Sequence, residues 1–183
     1  LIEAFSIERI SKSGAKFDLT KANWFNQQYL RMRSDAQLAA DLSISLTAKG
    51  IKADAAFVEQ VCHLIKEKAH FAHELASLSE YFFVAPTAYD EEVIKKRWNE
   101  QARGFITALV PAFENISDFN AVNTESAFKS TAEGMGIGAG SQMQLFRVLV
   151  SGVGGGPVLF DMVALLGKTE IIERLKKALH SLS

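Results

Sequence analysis

Residues that favour a helix N-terminus recur along this chain, and each is followed by apolar residues at helical spacing. Asp54 precedes one such stretch, whose apolar face consists of Phe57, Val58, Val61, Cys62 and Ile65. Asp90 precedes another, with acidic residues next to it and a basic run further along, which is the charge order that the helix dipole favours. The clearest strand-like alternation is short and lies at residues 5–10. The pattern therefore predicts an all-α fold of eight or nine helices.

The helical pattern changes character near Pro111, which suggests two parts. A long helical stretch ends there, and a less basic stretch rich in Asn and Ser begins. We expect two consecutive helical-bundle subdomains, over residues 32–110 and 111–183, after a short irregular segment over residues 1–31. At 183 residues, 48% of them apolar, the chain can bury a substantial core.

Charge and cysteine content exclude several classes of protein. The formal net charge is −1, so no overall basic excess indicates a nucleic-acid-binding protein. The basic residues are instead more frequent at the two ends of the chain than in the middle. The single cysteine, Cys62, excludes an internal disulfide, and its helical spacing with Val58 and Ile65 favours a buried, unreactive thiol. No uninterrupted apolar run is long enough to span a membrane, and we predict a cytoplasmic location.

Two glycine-rich segments resemble nucleotide-binding motifs only superficially. The segment Gly134–Gly140 follows a helical pattern rather than a strand, so a helix-to-helix connection is favoured over a dinucleotide site. The segment Gly152–Gly156 lacks the Lys and Ser/Thr that end a phosphate-binding loop, but it leads into a predicted helix that starts at Pro157 and stops at Gly167. Neither segment predicts a nucleotide site, and no catalytic constellation can be assembled from the chain.

Four side chains raise the alternative of a metal site. His63, Glu67, His70 and Glu74 would share one face if a single helix ran through them. A solvated polar face explains the same spacing, and the ligand set is incomplete. We predict no metal, and a metalloenzyme remains an alternative class.

Two blocks of sequence are similar to one known family. The stretches Phe5–Asp18 and Lys21–Leu30 resemble the region of glutamyl-tRNA synthetases that contacts the tRNA stem. The stretches Phe146–Gly152, Gly156–Phe160 and Arg174–Leu179 resemble the C-terminal, anticodon-binding end of the bacterial-type enzymes. The order and approximate spacing of the blocks agree over nearly the whole chain.

The resemblance implies a recognition module rather than a complete enzyme. The parent reaction would be the ATP-dependent attachment of glutamate to its tRNA, with magnesium, in a catalytic domain outside this chain. We therefore expect no catalytic residues and no cofactor in the chain itself. The implied partner is the glutamate-specific tRNA, without DNA or membrane, and the implied state is a monomer.

The resemblance also assigns residues to the anticodon. Arg147 would read a base, while Pro157 and Leu159 would line the place of an unstacked base. The family can have Thr where this chain has Gly156, so a contact there would come from the backbone. Lys68 stands where the family often has an Arg facing the last anticodon position, and lysine lacks the bidentate fork of arginine.

Five basic side chains are candidates for contacts with the tRNA backbone, which would position the RNA without reading it. They are Lys12, Lys16, Lys168, Arg174 and Lys177. A different class of function, a helical scaffold that binds protein without RNA, would be consistent with the near-zero net charge and the thirteen Phe residues.

Overall fold

All regular structure in the described part of the chain is helical. The computed structural model describes residues 17–182. In that range there are 3-10 turns at Lys66–Lys68 and Ala72–Glu74 and eleven α-helices: α1 Leu19–Met32, α2 Asp35–Ala48, α3 Ala55–Ile65, α4 Leu75–Leu78, α5 Glu80–Phe83, α6 Glu91–Arg97, α7 Glu100–Glu114, α8 Ala121–Gly134, α9 Ala139–Ser151, α10 Leu159–Leu166 and α11 Lys168–Ser181. The all-α prediction is confirmed, and the count exceeds eight or nine because helices as short as α4 and α5 leave little periodicity in the sequence.

Side-chain caps explain where most of the long helices begin. The predicted cap Asp54 accepts a hydrogen bond from the amide of Phe57 at 3.1 Å, and Asp90 accepts one from the amide of Val93 at 3.1 Å. Further capping side chains are Asp18, Ser34, Asn99 and Asn120. Each cap satisfies an amide that has no partner inside its helix and contributes about 1 kcal/mol.

The most extensive helix contacts fall into two sets. In the first set, α2 packs on α3 and α4, α5 packs on α4, and α1 packs on the 3-10 turn that follows α3. In the second set, α7 packs on α8 and α11, α8 packs on α10, and α6 packs on α9. Contacts between α3 and α10 join the two sets, and their apolar side chains form one continuous core.

The described helices run across two of the predicted boundaries. Pro111 lies inside α7, which belongs to the second set, so a boundary at 110/111 would cut a helix. A proline removes one intrahelical hydrogen bond, and the burial of Phe105, Leu109 and Phe113 along α7 keeps the helix continuous through it. The segment predicted to be irregular is helical from Leu19 onward, while residues 1–16 lie outside the described range and with them the alternation at 5–10.

The helix assumed for the metal alternative is interrupted. The chain leaves α3 at Ile65, and the carboxylate of Glu74 accepts hydrogen bonds from the amides of His70 at 2.7 Å and Phe71 at 3.2 Å. The other two candidate ligands are paired elsewhere, His63 with Asp35 and Glu67 with Arg31. Residues 17–182 contain no group of three or more side chains placed to hold a metal ion.

Cys62 is buried as expected, and burial raises the pKa of its thiol to about 12, with nearby carboxylates adding to the effect. A thiol with such a pKa is almost entirely protonated at neutral pH and therefore a poor nucleophile. No helix within residues 17–182 has the length and apolar character needed to span a membrane.

Candidate nucleic-acid interface

A pocket lies where the two sets of helices meet. Its volume is about 310 Å³, at the lower end of the range for small-molecule sites. We call it the junction pocket, and its walls are Ile65, Lys68, Ser77, Leu78 and Tyr81 from the first set and Val153, Gly155, Gly156 and Pro157 from the loop that precedes α10. Three residues predicted from the resemblance, Lys68, Gly156 and Pro157, thus come together although they are far apart in sequence.

The loop between α9 and α10 is fixed to the connection between α5 and α6. Gly152 ends α9 with a φ of +81°, and its carbonyl accepts a hydrogen bond from the amide of Asp90 at 2.9 Å. A Cβ on Gly152 would lie 2.9 Å from the carbonyl oxygen of Ala88, so both the conformation and the close approach require glycine. The prediction that Gly152–Gly156 is a loop leading into a helix is confirmed.

Arg147 holds this loop through a hydrogen bond to its backbone. It projects from α9, and its Nη2 donates a hydrogen bond to the carbonyl of Pro157 at 2.8 Å. Its Nη1 is buried and has no hydrogen-bond partner among the described residues. Burial lowers the pKa of the Arg147 guanidinium, opposed by the nearby Tyr81. Arg147 is absent from the walls of the junction pocket, so its observed contact is with the loop that forms those walls.

Tyr81 is a residue of the pocket that the sequence analysis missed. It is only 7% exposed, and its hydroxyl is buried without a hydrogen-bond partner among the described residues. Burial raises the pKa of Tyr81 to about 12, with the charge of Arg147 acting in the opposite direction. It lies in the short apolar run over residues 81–84, where the pattern distinguishes no single side chain. A tyrosine within an apolar run usually has a polar partner for its hydroxyl when it is buried. This general preference is the sequence signal that could have indicated Tyr81.

Pro157 and Leu159 do not form the common wall that was predicted. Helix α10 begins at Leu159 after the cap Val158, so Pro157 precedes the helix rather than lying in its first turn. Pro157 lines the junction pocket, whereas Leu159 is 8% exposed and belongs to the hydrophobic core. The physical reason is that the start of α10 turns this apolar side chain inward.

Lys68 presents an unpaired charge to the pocket. It lies on the 3-10 turn after α3, it is exposed, and no described residue pairs with it. Its neighbour Lys66 is instead bound to Asp35 at 2.7 Å. Lys68 is therefore available to a polyanion at the pocket mouth.

The candidates for backbone contacts differ in availability. Arg174 is 3% exposed and donates hydrogen bonds to the carbonyl of Val150 at 2.6 Å and to Glu170 at 2.7 Å, so its guanidinium is already used within the fold. Lys168 donates to the carbonyl of Glu114 and Lys177 to that of Pro86, each at 3.0 Å. Both of these contacts are at the surface. Lys12 and Lys16 lie outside the described residues.

Comparison with known proteins decides the family. The profile of the family described as "Anticodon binding domain" matches residues 28–179. The chain belongs to the anticodon-binding domain family. The match covers every wall of the junction pocket and all helices except the first part of α1 and the end of α11.

Known members that resemble this anticodon-binding chain are glutamate–tRNA ligases. The ligase of Flavobacterium johnsoniae is 41% identical over 182 residues, which is 100% of this chain and 36% of that protein. That of Amoebophilus asiaticus is 39% identical over 180 residues, or 98% of this chain and 35% of that protein. The chain therefore spans about a third of the length of these relatives, and the family resemblance predicted from sequence is confirmed.

Solved structures of the same enzyme class share the fold. A glutamate tRNA ligase from Elizabethkingia meningosepticum superposes with a TM-score of 0.87 at 30% identity, covering 98% of this chain and 36% of that one. The glutamate-tRNA synthetase of Elizabethkingia anophelis gives a TM-score of 0.81 at 30% identity, covering 96% of this chain and 34% of the other. The helical architecture is thus that of the matching part of these enzymes.

Proposed function

We propose that this chain recognises the anticodon loop of the glutamate-specific tRNA, with the junction pocket holding an unstacked base. The observation that carries the proposal is the meeting of Lys68, Gly156 and Pro157 in one cavity. Sequence-specific recognition of RNA usually targets single-stranded loops, whose splayed bases can enter such a cavity. Pro157 and Leu78 supply apolar walls, and Lys68 supplies the charge.

Lys68 and the exposed surface lysines have different roles in this proposal. Lys68 lies at the pocket mouth and would contact the base or its adjoining phosphate. Lys168 and Lys177 would position the RNA without reading it, once they are released from the carbonyls of Glu114 and Pro86. Lys12 and Lys16 keep the same proposed role on the strength of the family resemblance alone.

In the whole protein the recognised tRNA would be charged with glutamate in an ATP-dependent reaction that uses magnesium. This part of the proposal rests on the names of the relatives, of which the chain covers about a third. The monomeric state and the cytoplasmic location stay predictions from the sequence.

Binding to an anticodon stem-loop RNA tests the proposal directly. We expect the chain to bind the stem-loop of a glutamate tRNA more tightly than one with the same stem and a scrambled loop. Affinity for both should fall as salt rises, because phosphate contacts release counterions. Equal affinity for the two RNAs at every salt concentration would contradict anticodon recognition. No binding to either RNA at any salt concentration would favour a protein-binding scaffold.

A matched pair of lysine substitutions locates the site. Lys68→Ala should weaken binding of the matched stem-loop by about 1 kcal/mol or more. Lys52→Ala is the control, because Lys52 is also exposed but precedes α3 whereas Lys68 follows it, which separates the two by roughly 16 Å along that helix. Equal effects of the two substitutions would indicate a general loss of charge rather than a contact at the pocket.

A further inference from the structure

The hydroxyl of Tyr81 is a polar group that the fold buries without using. The side chain packs against Phe82, with ring centroids 4.7 Å apart, and it lines the junction pocket. An unpaired buried hydroxyl costs free energy that a phenylalanine at the same position would not. A group that costs stability and faces a cavity is a candidate for ligand binding.

The Tyr81 hydroxyl and the free Arg147 nitrogen converge on the same side of Gly156. A Cβ built on Gly156 would lie 2.9 Å from the Arg147 Nη1 and 3.3 Å from the Tyr81 hydroxyl oxygen. Both of these atoms are buried and lack a partner among the described residues. Gly156 has a φ of +153°, a conformation that other residues rarely adopt. Because residue 156 is a glycine, no Cβ occupies the space next to these two buried atoms at the cavity wall.

We propose that Tyr81 is a specificity-determining residue, whose hydroxyl donates a hydrogen bond to a carbonyl oxygen of the unstacked base in the junction pocket. Arg147 Nη1 is the second donor of the pair. This inference rests on the proposed function, because it names the edge chemistry that the same pocket reads.

Both groups can donate a hydrogen bond to a base. A guanidinium nitrogen carries hydrogens and no lone pair that accepts, and burial raises the pKa of Tyr81 to about 12, so its proton stays on at neutral pH. A base edge with two acceptor atoms satisfies both donors, whereas an amino group opposite Arg147 would leave the guanidinium nitrogen unpaired, because that nitrogen cannot accept. A base that leaves either donor unpaired in this buried site binds less favourably, so the pair of donors selects among bases.

Tyr81→Phe tests the inference because it removes only the hydroxyl. We expect the variant to bind the matched stem-loop about three- to tenfold more weakly, which is the range for one neutral hydrogen bond, and the scrambled stem-loop unchanged. Its thermal stability should be unchanged or slightly raised, since the lost hydroxyl has no partner in the fold. Tyr29→Phe is the control, because Tyr29 is 67% exposed on α1.

An abasic scan of the three anticodon positions identifies the base and separates the two proposals. Removing the base that occupies the pocket should lower the affinity of the wild type. The loss of affinity in Tyr81→Phe should be about three- to tenfold smaller, because the hydrogen bond to that base is already absent. Removing either of the other two bases should lower the affinity of both proteins by the same factor. Additive effects at every position, or a fall in stability with no change in binding, would overturn the role of Tyr81. Absence of discrimination by the wild type would instead overturn the proposed function.

Discussion

The two terminal nitrogens of the Arg147 guanidinium are in different situations. One is bound to the carbonyl of Pro157, and the other is buried beside the cavity wall without a partner. Arg147 therefore holds the loop through one nitrogen and leaves the other nitrogen, next to the loop, as a donor without a partner among the described residues. At the scale of single residues, the loop contact is observed and a contact with a base is proposed.

Arg147→Ala should lose both of these contributions. We expect binding of the matched stem-loop to weaken by about 1–3 kcal/mol if Arg147 also contacts a base, and stability to fall by about 1 kcal/mol from the lost loop contact. Titration with the two stem-loops and thermal unfolding measure the two effects separately.

Arg97→Ala is the matched control for Arg147→Ala. Arg97 also donates to a backbone carbonyl, that of Ser141 at 3.0 Å, but its other contact is Gln144 on α9 and it does not line the pocket. The Arg97→Ala variant should be less stable than the wild type but should still bind the matched stem-loop more tightly than the scrambled one. A loss of discrimination in both variants would contradict a specific role for Arg147.

At the scale of elements, the loop that precedes α10 is shaped by α9 and by the connection between α5 and α6. Ser151 contributes by accepting a hydrogen bond from the amide of Val153 at 3.4 Å, and Gly152 contributes by its close approach to Ala88 and its hydrogen bond with Asp90. The walls contributed by Gly155 and Gly156 depend on these anchors. A loop held at both ends presents its backbone to a base without an added ordering cost.

Two glycine substitutions in this loop should differ in effect. Gly152→Ala should lower stability by about 1–3 kcal/mol, because φ is +81° and the new Cβ would lie 2.9 Å from the Ala88 carbonyl. Gly155→Ala is the control, since a Cβ there meets nothing within 4 Å. Denaturant unfolding measures both, and equal stability of the two variants would contradict the anchoring of the loop at Gly152.

At the scale of the whole molecule, the junction pocket exists only because two sets of helices meet. Lys68 and Tyr81 come from the first set, and Gly156 and Pro157 come from the loop before α10. The contact of α3 with α10 sets the separation of these walls. This junction brings residues from distant parts of the sequence together around one cavity, where we propose that the base binds.

The sequence predicted what local chemistry determines. Asp54 and Asp90 were identified as helix starts because a cap needs only a side-chain oxygen a few residues from the free amides. The loop before α10 followed from the glycine-rich segment Gly152–Gly156 and Pro157. The family resemblance singled out three residues that line the pocket. What the sequence missed depends on tertiary contacts.

Three residues illustrate that limit. From the sequence, Pro111 is expected to end a helix, but α7 continues past it because α7 packs on α8 and α11. Arg174 reads as a surface cation, but the carbonyl of Val150 gives its buried guanidinium a partner. Tyr81 reads as part of an apolar run, and only the fold places its hydroxyl beside Gly156 and Arg147.

Amide hydrogen exchange of the chain with and without the matched stem-loop tests the central claim most directly, because it reports where the RNA binds. We predict slower exchange at residues 66–81 and 152–158 with the matched stem-loop, and a weaker effect with the scrambled one. Protection confined to other helices, or identical protection by both RNAs, would contradict an anticodon site at the junction of the two sets of helices.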